Sequence, residues 1–271
     1  MSTNPRTRGR PKTSHDSPDQ NTVQALDRAL GLMQILAAQP GLTLSDLTET
    51  SGLPVASVFR ALMTLQARGM VEIEEPGQFW HIGAGAFRIG SVFLRRTKVA
   101  ERARQPMDAL MRDTGETASL GVETGAEVMI VAQVETHQAI RAFLPPGTLA
   151  PLHASAIGKA LLAWYPAEKV AGMLERRGMQ KFTSLTLSSQ SSLLRDLART
   201  RERGFAIDDQ ERAEGMRSVA APIFNAHAEP VAALSVSGPA FRMGLSDATR
   251  FGALVRAAAD GVTEATGGLR P

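Results

Sequence analysis

The sequence has no cysteine among its 271 residues and no long apolar run. Without cysteine there are no disulfides, no thiolate catalysis and no cysteine-ligated zinc. No stretch reaches the roughly 18 consecutive apolar residues of a membrane-spanning helix. The polar N-terminus lacks the apolar segment of a secretory signal. These absences favour a cytoplasmic protein with no membrane partner.

Positive charge is present but unevenly distributed, although the net charge is only +3. Residues 1–20 carry four basic and two acidic side chains, and residues 84–104 carry six basic and one acidic. Between them, residues 21–83 carry three basic and six acidic side chains. Because basic clusters neutralise phosphates, two such segments around a slightly acidic module favour a nucleic-acid partner.

The first twenty residues are rich in Pro, Ser, Thr and Asn and show no apolar periodicity. This composition predicts a disordered basic tail over residues 1–20. Arg8 and Arg10 belong to an Arg-Gly-Arg-Pro segment. Gly and Pro keep such a segment thin and extended, so that its arginines can enter a narrow A·T minor groove. The alternative is an unspecific basic tail.

Three helices are predicted after the tail. Apolar residues recur at helical spacing over residues 23–38. Thr43 is a predicted N-cap with Asp46 three residues later, as in a capping box, and Gly52 ends that short helix. Pro54 then suits the first turn of a third helix.

Two short strands follow, over residues 70–74 and 78–82, and they flank a Pro-Gly turn. The order helix, helix, turn, helix, hairpin is that of a winged helix-turn-helix, here over residues 21–83. We therefore predict double-stranded operator DNA as the partner of this domain.

The third helix offers the residues for base contact, because the N-terminal part of a recognition helix enters the major groove. Arg60 suits a guanine edge or a phosphate, Ser57 a phosphate or a base, and Val55 or Ala56 a thymine methyl group. Thr64 shares the polar face of Ser57 and Arg60. The alternative is a helical module that packs on a protein partner, with Arg60 merely solvated.

The remaining chain predicts a linker helix over residues 84–98 and an α+β domain over residues 99–271 with an antiparallel sheet. Strands are predicted over residues 117–123, 127–134, 139–144, 204–208, 217–224 and 230–237. Helices are predicted over residues 99–114, 156–164, 166–177, 189–203 and 246–266.

Three segments, in matching order, resemble the IclR-type transcriptional regulators. Residues 52–71 resemble the recognition unit, and residues 151–163 and 203–239 resemble two segments of the C-terminal domain. The resemblance implies a winged helix-turn-helix, a linker helix and a GAF-like effector domain with a curved antiparallel sheet. It also implies homodimers paired through the N-terminal domains, and often homotetramers. Val55 departs from the family, which often has a basic or polar residue there.

The C-terminal segments suggest an anion pocket. Residues 153–163 place small side chains at the start of a helix, where free N–H groups and the helix dipole favour an anion. Ser235 and Ser237 are two apart on a strand, so both hydroxyls share one face. The resemblance places Asp208 and Ser218 at positions that hold the ligand in glyoxylate- and pyruvate-sensing members.

These residues together predict a small 2-oxo acid as effector, either glyoxylate or a pyruvate-like acid. The carboxylate would contact the N–H groups of Ala156 and Ile157, helped by Ser235 and Ser237. Asp208 would accept from a hydroxyl or hydrated aldehyde, or donate if protonated. Aromatic acids and lactone-type signals, which other members bind, remain alternatives.

Each pocket residue also has a purely structural interpretation. The two serines would then only stabilise a strand, and Asp208 would cap a turn. His153 would make a structural hydrogen bond, and Lys159 would be solvated or salt-bridged.

Enzymatic alternatives find little support. Around Gly158 and Lys159 the P-loop positions hold His153 and Ala160, so that motif fails, and a Rossmann fingerprint fails as well. A hydrolase could be assembled from Ser155, His153 and Asp208, but Gly-x-Ser-x-Gly is absent. The five histidines show no metal-ligand spacing. We expect no catalysis, no cofactor and no metal, and a pure protein adaptor would leave the anion motif unexplained.

Overall fold

A computed structural model describes residues 22–96 and 99–271, without the side chains of residues 93–98. The predicted tail, residues 1–20, lies outside the described residues. The chain forms two compact units that divide between Phe93 and Leu94, within the predicted linker helix. No helix of the described residues is long and apolar enough to cross a membrane.

The N-terminal unit has the predicted order of elements, and its two strands pair antiparallel. The elements are α1 (Gln24–Ala38), α2 (Leu44–Ser51), α3 (Val55–Ala67), β1 (Val71–Glu74), β2 (Phe79–Ile82) and α4 (Ala84–Arg96). The fold is a helix-turn-helix with a β-hairpin wing, as predicted.

Local chemistry explains the boundaries of α2. The Thr43 hydroxyl accepts from the Asp46 N–H at 3.2 Å, and the Asp46 carboxylate accepts from the Thr43 N–H at 2.9 Å. This capping box confirms the predicted helix start. Gly52 ends the helix in the left-handed region, at φ 65°. The core of the unit is apolar and buried, with Leu32, Leu36, Leu47, Val58, Leu62, Val71 and Trp80.

The C-terminal unit is built on a six-stranded antiparallel sheet with the order β5-β4-β3-β8-β7-β6. Its strands are β3 (Thr117–Thr124), β4 (Glu127–Val134), β5 (Leu149–Pro151), β6 (Ala206–Asp209), β7 (Met216–Phe224) and β8 (Pro230–Pro239). Its helices are α5 (Val99–Thr114), α6 (Ala156–Leu162), α7 (Ala167–Arg177), α8 (Gln190–Arg203) and α9 (Leu245–Ala265).

Strand periodicity divides this unit into two cores. Leu234 and Val236 of β8 pack in the core that contains residues of α5 and α9. Ala233 belongs instead to the core that contains residues of α6, α7 and α8. Because side chains alternate along a strand, Ser235 and Ser237 share the α6 side of the sheet with Ala233.

The predicted strand over residues 139–144 is wrong, because this segment has no regular structure. A backbone carbonyl group of this segment bonds to a side chain and not to a neighbouring strand: Ala142 O accepts from the Thr117 hydroxyl at 3.0 Å. Pro145 and Pro146 follow, and neither has an N–H to donate to a neighbouring strand. On its other edge from β3, β4 pairs with β5, which the alternation pattern did not indicate.

Candidate functional site

A cavity of about 350 Å³ lies in the C-terminal unit, beside the start of α6. It brings together all six residues that the sequence singled out for effector binding. They are Ala156, Ile157, Asp208, Ser218, Ser235 and Ser237.

The register of the sheet aligns the polar residues of this cavity. Asp208 on β6 is opposite Ser218 on β7, and Ser218 is opposite Ser237 on β8. Ser237 is in turn opposite Thr117 on β3. Directly opposite residues on neighbouring strands have side chains on the same face. Four strands thus contribute one polar row across the sheet, although its members are far apart in sequence.

Asp208 is buried, and one of its two carboxylate oxygens already accepts a short hydrogen bond within the protein. Its Oδ1 accepts from the Glu211 N–H at 2.8 Å, which is the turn cap considered for this residue. Within the described part of the chain, its Oδ2 accepts a single long hydrogen bond, from the Ser218 hydroxyl at 3.5 Å. Burial raises the pKa of Asp208, and the bond from Glu211 and the charge of Lys159 partly oppose that rise. Asp208 therefore has one oxygen suited to a further hydrogen bond.

The start of α6 is held close to the chain that precedes it. Ser155 caps the helix by accepting from the Gly158 N–H at 3.2 Å, and it donates to Pro151 O at 2.7 Å. A Cβ at Gly158 would lie only 2.2 Å from Leu152 O, so only glycine allows this approach. The packing fixes the first turn of α6 against the cavity.

Lys159 of α6 is fully buried and is not one of the residues that line the cavity. Its Nζ is 2.5 Å from Glu211 Oε1 and 2.8 Å from Asp196 Oδ2. It also donates to Ile207 O at 2.5 Å. The salt-bridged interpretation of Lys159 is confirmed and the solvated one is wrong, since this ammonium group joins α6, α8 and β6.

The sequence missed one wall of the cavity, which we call the wall segment (residues 135–146). Arg141, Ala142, Phe143 and Leu144 of this segment line the cavity. Their role depends on where the chain folds back over the sheet, and no local motif signals it. Two further arginines, Arg212 and Arg217, also line the cavity.

The residues of the hydrolase alternative are engaged elsewhere. His153 Nε2 lies 2.9 Å from Gln180 O, and burial lowers the pKa of this histidine. The Ser155 hydroxyl bonds Pro151 O and not His153. His153 does not line the effector cavity, so the structural interpretation of His153 fits its contacts. Among the described residues there is no group of three His, Asp or Glu placed to hold a metal ion.

The predicted DNA-contact residues lie on α3 of the N-terminal unit. Val55, Ala56, Arg60 and Thr64 are exposed, while Ser57 is half-buried. Arg60 Nε donates to Ala56 O at 3.3 Å, and the Thr64 hydroxyl donates to Arg60 O at 2.8 Å. The inward residues of the helix are Val58 and Leu62, as predicted.

Two apolar side chains on the exposed side of α3 were missed. Phe59 and Met63 are exposed by 47% and 44%. They fall three residues after Ala56 and three after Arg60, so both share a helix face with the predicted contacts. The sequence signal available was helical periodicity. Because Val58 and Leu62 face the core, the residues that follow them, Phe59 and Met63, turn outward.

The wing brings negative rather than positive charge. Glu72 and Glu74 of β1 and Glu75 of the turn are its acidic residues. His81 Nε2 lies 3.1 Å from Glu74 Oε2. Phosphate neutralisation by the hairpin is therefore disfavoured, which leaves Arg60 and segments outside the wing. Arg8 and Arg10, the predicted minor-groove residues, lie outside the described residues.

Comparison with known proteins decides the family. A model of the IclR helix-turn-helix domain matches residues 25–75, and a model of the bacterial transcriptional regulator IclR C-terminal domain matches residues 92–264. The chain belongs to the IclR family of transcriptional regulators. It shares the family's N-terminal helix-turn-helix and its C-terminal α+β domain with an antiparallel sheet.

The relatives match this chain over nearly its whole length. It is 44% identical to the HTH-type transcriptional regulator BhcR of Paracoccus denitrificans, over 100% of this chain and 97% of the relative. It is 40% identical to the acetate operon repressor of Salmonella typhimurium, over 98% of each. The crystal structure of Thermotoga maritima IclR aligns with a TM-score of 0.77 at 26% identity, covering 90% of this chain and 99% of that one. The first of these relatives is named a transcriptional regulator and the second an operon repressor.

Proposed function

We propose that this IclR-family regulator binds operator DNA through α3 and responds to a small carboxylate in the cavity of its C-terminal unit. The effector we propose is glyoxylate or a related 2-oxo acid. One observation carries the proposal: the polar row of Asp208, Ser218 and Ser237 faces the same cavity as the first turn of α6.

The carboxylate of a 2-oxo acid fits the start of α6. The N–H groups of Ala156 and Ile157 donate no hydrogen bond within the described residues, and first-turn N–H groups of a helix favour an anion. The hydroxyls of Ser235 and Ser237 are further donors in the same cavity. Asp208 Oδ2 accepts from a hydroxyl of the hydrated carbonyl group. The name of one relative, the acetate operon repressor, agrees with control by a small acid.

An aromatic acid is the second candidate, and the size of the cavity favours it. The volume of about 350 Å³ is far larger than a two-carbon acid fills. Val128, Ile130, Phe143 and Leu144 give the cavity an apolar side. Such a side suits a ring or a branched chain, because burial of apolar surface contributes about 25 cal/mol per Å².

On the DNA side, α3 combines a cation with apolar contacts. Arg60 is its exposed positive charge, and Phe59 and Met63 can contact thymine methyl groups. The basic tail, with Arg8 and Arg10, remains a predicted minor-groove arm. Because the wing is acidic, we expect α3 and the basic segments outside the wing to provide most of the affinity.

We further propose a homodimer or homotetramer that acts in the cytoplasm, where operator DNA is accessible. The predicted boundaries between the winged domain, the linker helix and the effector domain, at residues 83/84 and 98/99, remain part of this proposal. We assign no catalytic role, because the hydrogen bonds of His153 and Ser155 are made to backbone groups.

Calorimetric titration with glyoxylate, pyruvate and benzoate tests the effector. We expect saturable binding of a 2-oxo acid that is lost in both Asp208→Ala and Asp208→Asn and is kept in Glu214→Ala, an exposed acid on the loop after β6. Asparagine retains the oxygen that caps the turn at Glu211, so a loss confined to the alanine variant would reveal only a structural role. Binding of benzoate alone would replace the 2-oxo acid by the aromatic candidate.

A further inference from the structure

The arginines of the effector cavity differ in how their charges are balanced. Arg141, Arg212 and Arg217 all line it. An anionic ligand in such a site needs a compensating charge, because burying an unpaired carboxylate is costly. The need is greater here, since Asp208 already contributes a carboxyl group to the cavity.

Two of the three arginines are committed to other carboxylates. Arg217 is buried, its Nη2 lies 2.6 Å from Asp209 Oδ1, and its Nη1 donates to Met243 O. The Arg141 Nε lies 2.9 Å from Glu135 Oε2. Each of these guanidinium groups therefore has its charge balanced before any ligand binds.

Lys159 is also unavailable to a ligand. Its ammonium group is shared by Glu211 and Asp196 and is sealed behind the cavity. Lys159 pairs with Asp196 and Glu211 and its charge also acts on Asp208, while Arg203 lies 3.8 Å from Asp196, so three carboxyl groups share two cations. The cluster has no positive charge to spare for an incoming anion.

Arg212 is different. No carboxylate of the described residues lies within 4 Å of its guanidinium group, and its only hydrogen bond goes to Leu149 O at 3.3 Å. Its positive charge acts on the cavity, because it lowers the pKa of Asp208 against the larger, opposite effect of burial. Arg212 is half-buried, so its charge is only partly screened by water.

We propose that Arg212 is the specificity-determining residue of the cavity: it pairs with the carboxylate of the effector and selects acids over neutral ligands. This inference rests on the proposed carboxylate effector and adds the cation that the sequence did not indicate. Arginine suits the role because its planar fork binds a carboxylate through two parallel hydrogen bonds.

Arg212 also borders a second cavity, lined in part by His153 and Phe182. That cavity already contains an ion pair, Arg177 with Glu127 at 2.8 Å. Asp208 lines the first cavity and not the second. The need for a compensating charge therefore lies on the side of the effector cavity.

The test compares Arg212→Gln and Arg212→Lys with the wild-type chain by calorimetry, using glyoxylate, pyruvate, benzoate and the neutral probe pyruvamide. Arg176→Gln is the matched control, because it removes an exposed arginine that lines neither cavity. For Arg212→Gln we expect the Kd of the bound acid to rise about tenfold to a hundredfold. Arg212→Lys keeps a point charge and should recover part of that loss.

The outcomes separate the two proposals. An unchanged Kd for the acid in Arg212→Gln would overturn the role of Arg212 while the carboxylate effector stands. An equal loss for the acid and for pyruvamide would also overturn it, since only packing would then be involved. If the wild-type chain binds none of the acids, the proposed effector class fails, and the role of Arg212 fails with it. Thermal unfolding of each variant checks that it is folded.

Discussion

Glu211 is a buried carboxyl group of the C-terminal unit, and its two oxygens have different surroundings. One oxygen contacts the buried ammonium group of Lys159, and the other, Oε2, is buried and has no hydrogen-bond partner among the described residues. Burial raises the pKa of Glu211 to about 7, although Lys159 lowers it. A carboxyl group with this pKa exchanges its proton near neutral pH.

The stability of the protein should therefore fall as pH rises from about 4.5 to about 7. The folded state binds this proton more tightly than the unfolded chain, whose glutamate has the ordinary value of 4.5. The stabilisation is complete below the unfolded pKa and is lost as pH rises through the folded pKa. The slope from one such group is at most about 1.4 kcal/mol per pH unit. Thermal unfolding between pH 4.5 and 8 measures it.

The matching variant is Glu211→Gln, which should flatten the pH profile. Glu214→Gln removes an exposed acid three residues away and should leave the profile unchanged. Identical pH profiles for the wild-type and Glu211→Gln proteins would refute the raised pKa.

At this scale the sequence predicted polar residues better than charged ones. The two-residue spacing of Ser235 and Ser237 fixes a common face, and the family resemblance adds Asp208 and Ser218. The burial of Lys159 and the open charge of Arg212 depend on partners about 50 or more residues away in sequence, such as Glu211 and Leu149. No local pattern encodes such pairings.

Among the elements, α3 allows the most direct test of DNA recognition. Arg60→Ala should weaken binding to the operator by about tenfold to a hundredfold, because a base or phosphate contact by arginine contributes about 1–3 kcal/mol. Arg60 is exposed, so unfolding should be unaffected. A fluorescence anisotropy titration at fixed salt measures the change.

Arg68→Ala is the control. Arg68 is exposed at the C-terminal end of α3, whereas the N-terminal part of α3 is the part expected to enter the major groove of DNA. Equal weakening by the two variants would indicate general electrostatics, and unchanged affinity for Arg60→Ala would remove α3 from the interface.

Helices were predictable because their signals are local. The caps at Thr43 and Gly52 and the apolar spacing of α3 depend on a few neighbouring residues. The same use of local patterns gave a wrong prediction for the wall segment, where a strand was expected over residues 139–144. Its alternation around Ile140 imitates a strand, yet Ile140 is 62% exposed and its carbonyl group accepts from Arg242. A strand requires a partner edge, and β4 pairs with β5 instead.

For the whole molecule, exposed apolar faces bear on self-association. Val23 just before α1, and Leu26 and Leu30 on α1, are at least half exposed, while Leu32 and Leu36 of this helix lie in the core. On α4, Phe87, Ile89 and Val92 are exposed as well. Contiguous exposed apolar surface is typical of interfaces. These faces support pairing through the N-terminal unit.

Leu26→Glu should weaken the dimer at least about tenfold, because it buries a charge in the proposed interface. Sedimentation across a concentration series gives the dissociation constant. Gln24→Glu adds the same charge two residues away, where a helix turns it to another side. Equal sedimentation of the Leu26→Glu and wild-type proteins would exclude α1 from the interface.

We expect the wall segment to influence how fast the cavity exchanges its contents, because four of its residues line the cavity. Its described hydrogen bonds to the rest of the unit include side-chain bonds, such as Thr117 to Ala142 O and Thr136 to Gly115 O, and a turn bond from the Thr148 N–H to Pro145 O. None of them belongs to a strand ladder. A segment held by so few bonds opens at low cost and far more often than the sheet. The residence time of the effector would then follow the opening of this segment. The delay between a change in metabolite concentration and a change in transcription would thus be set by a few hydroxyl contacts.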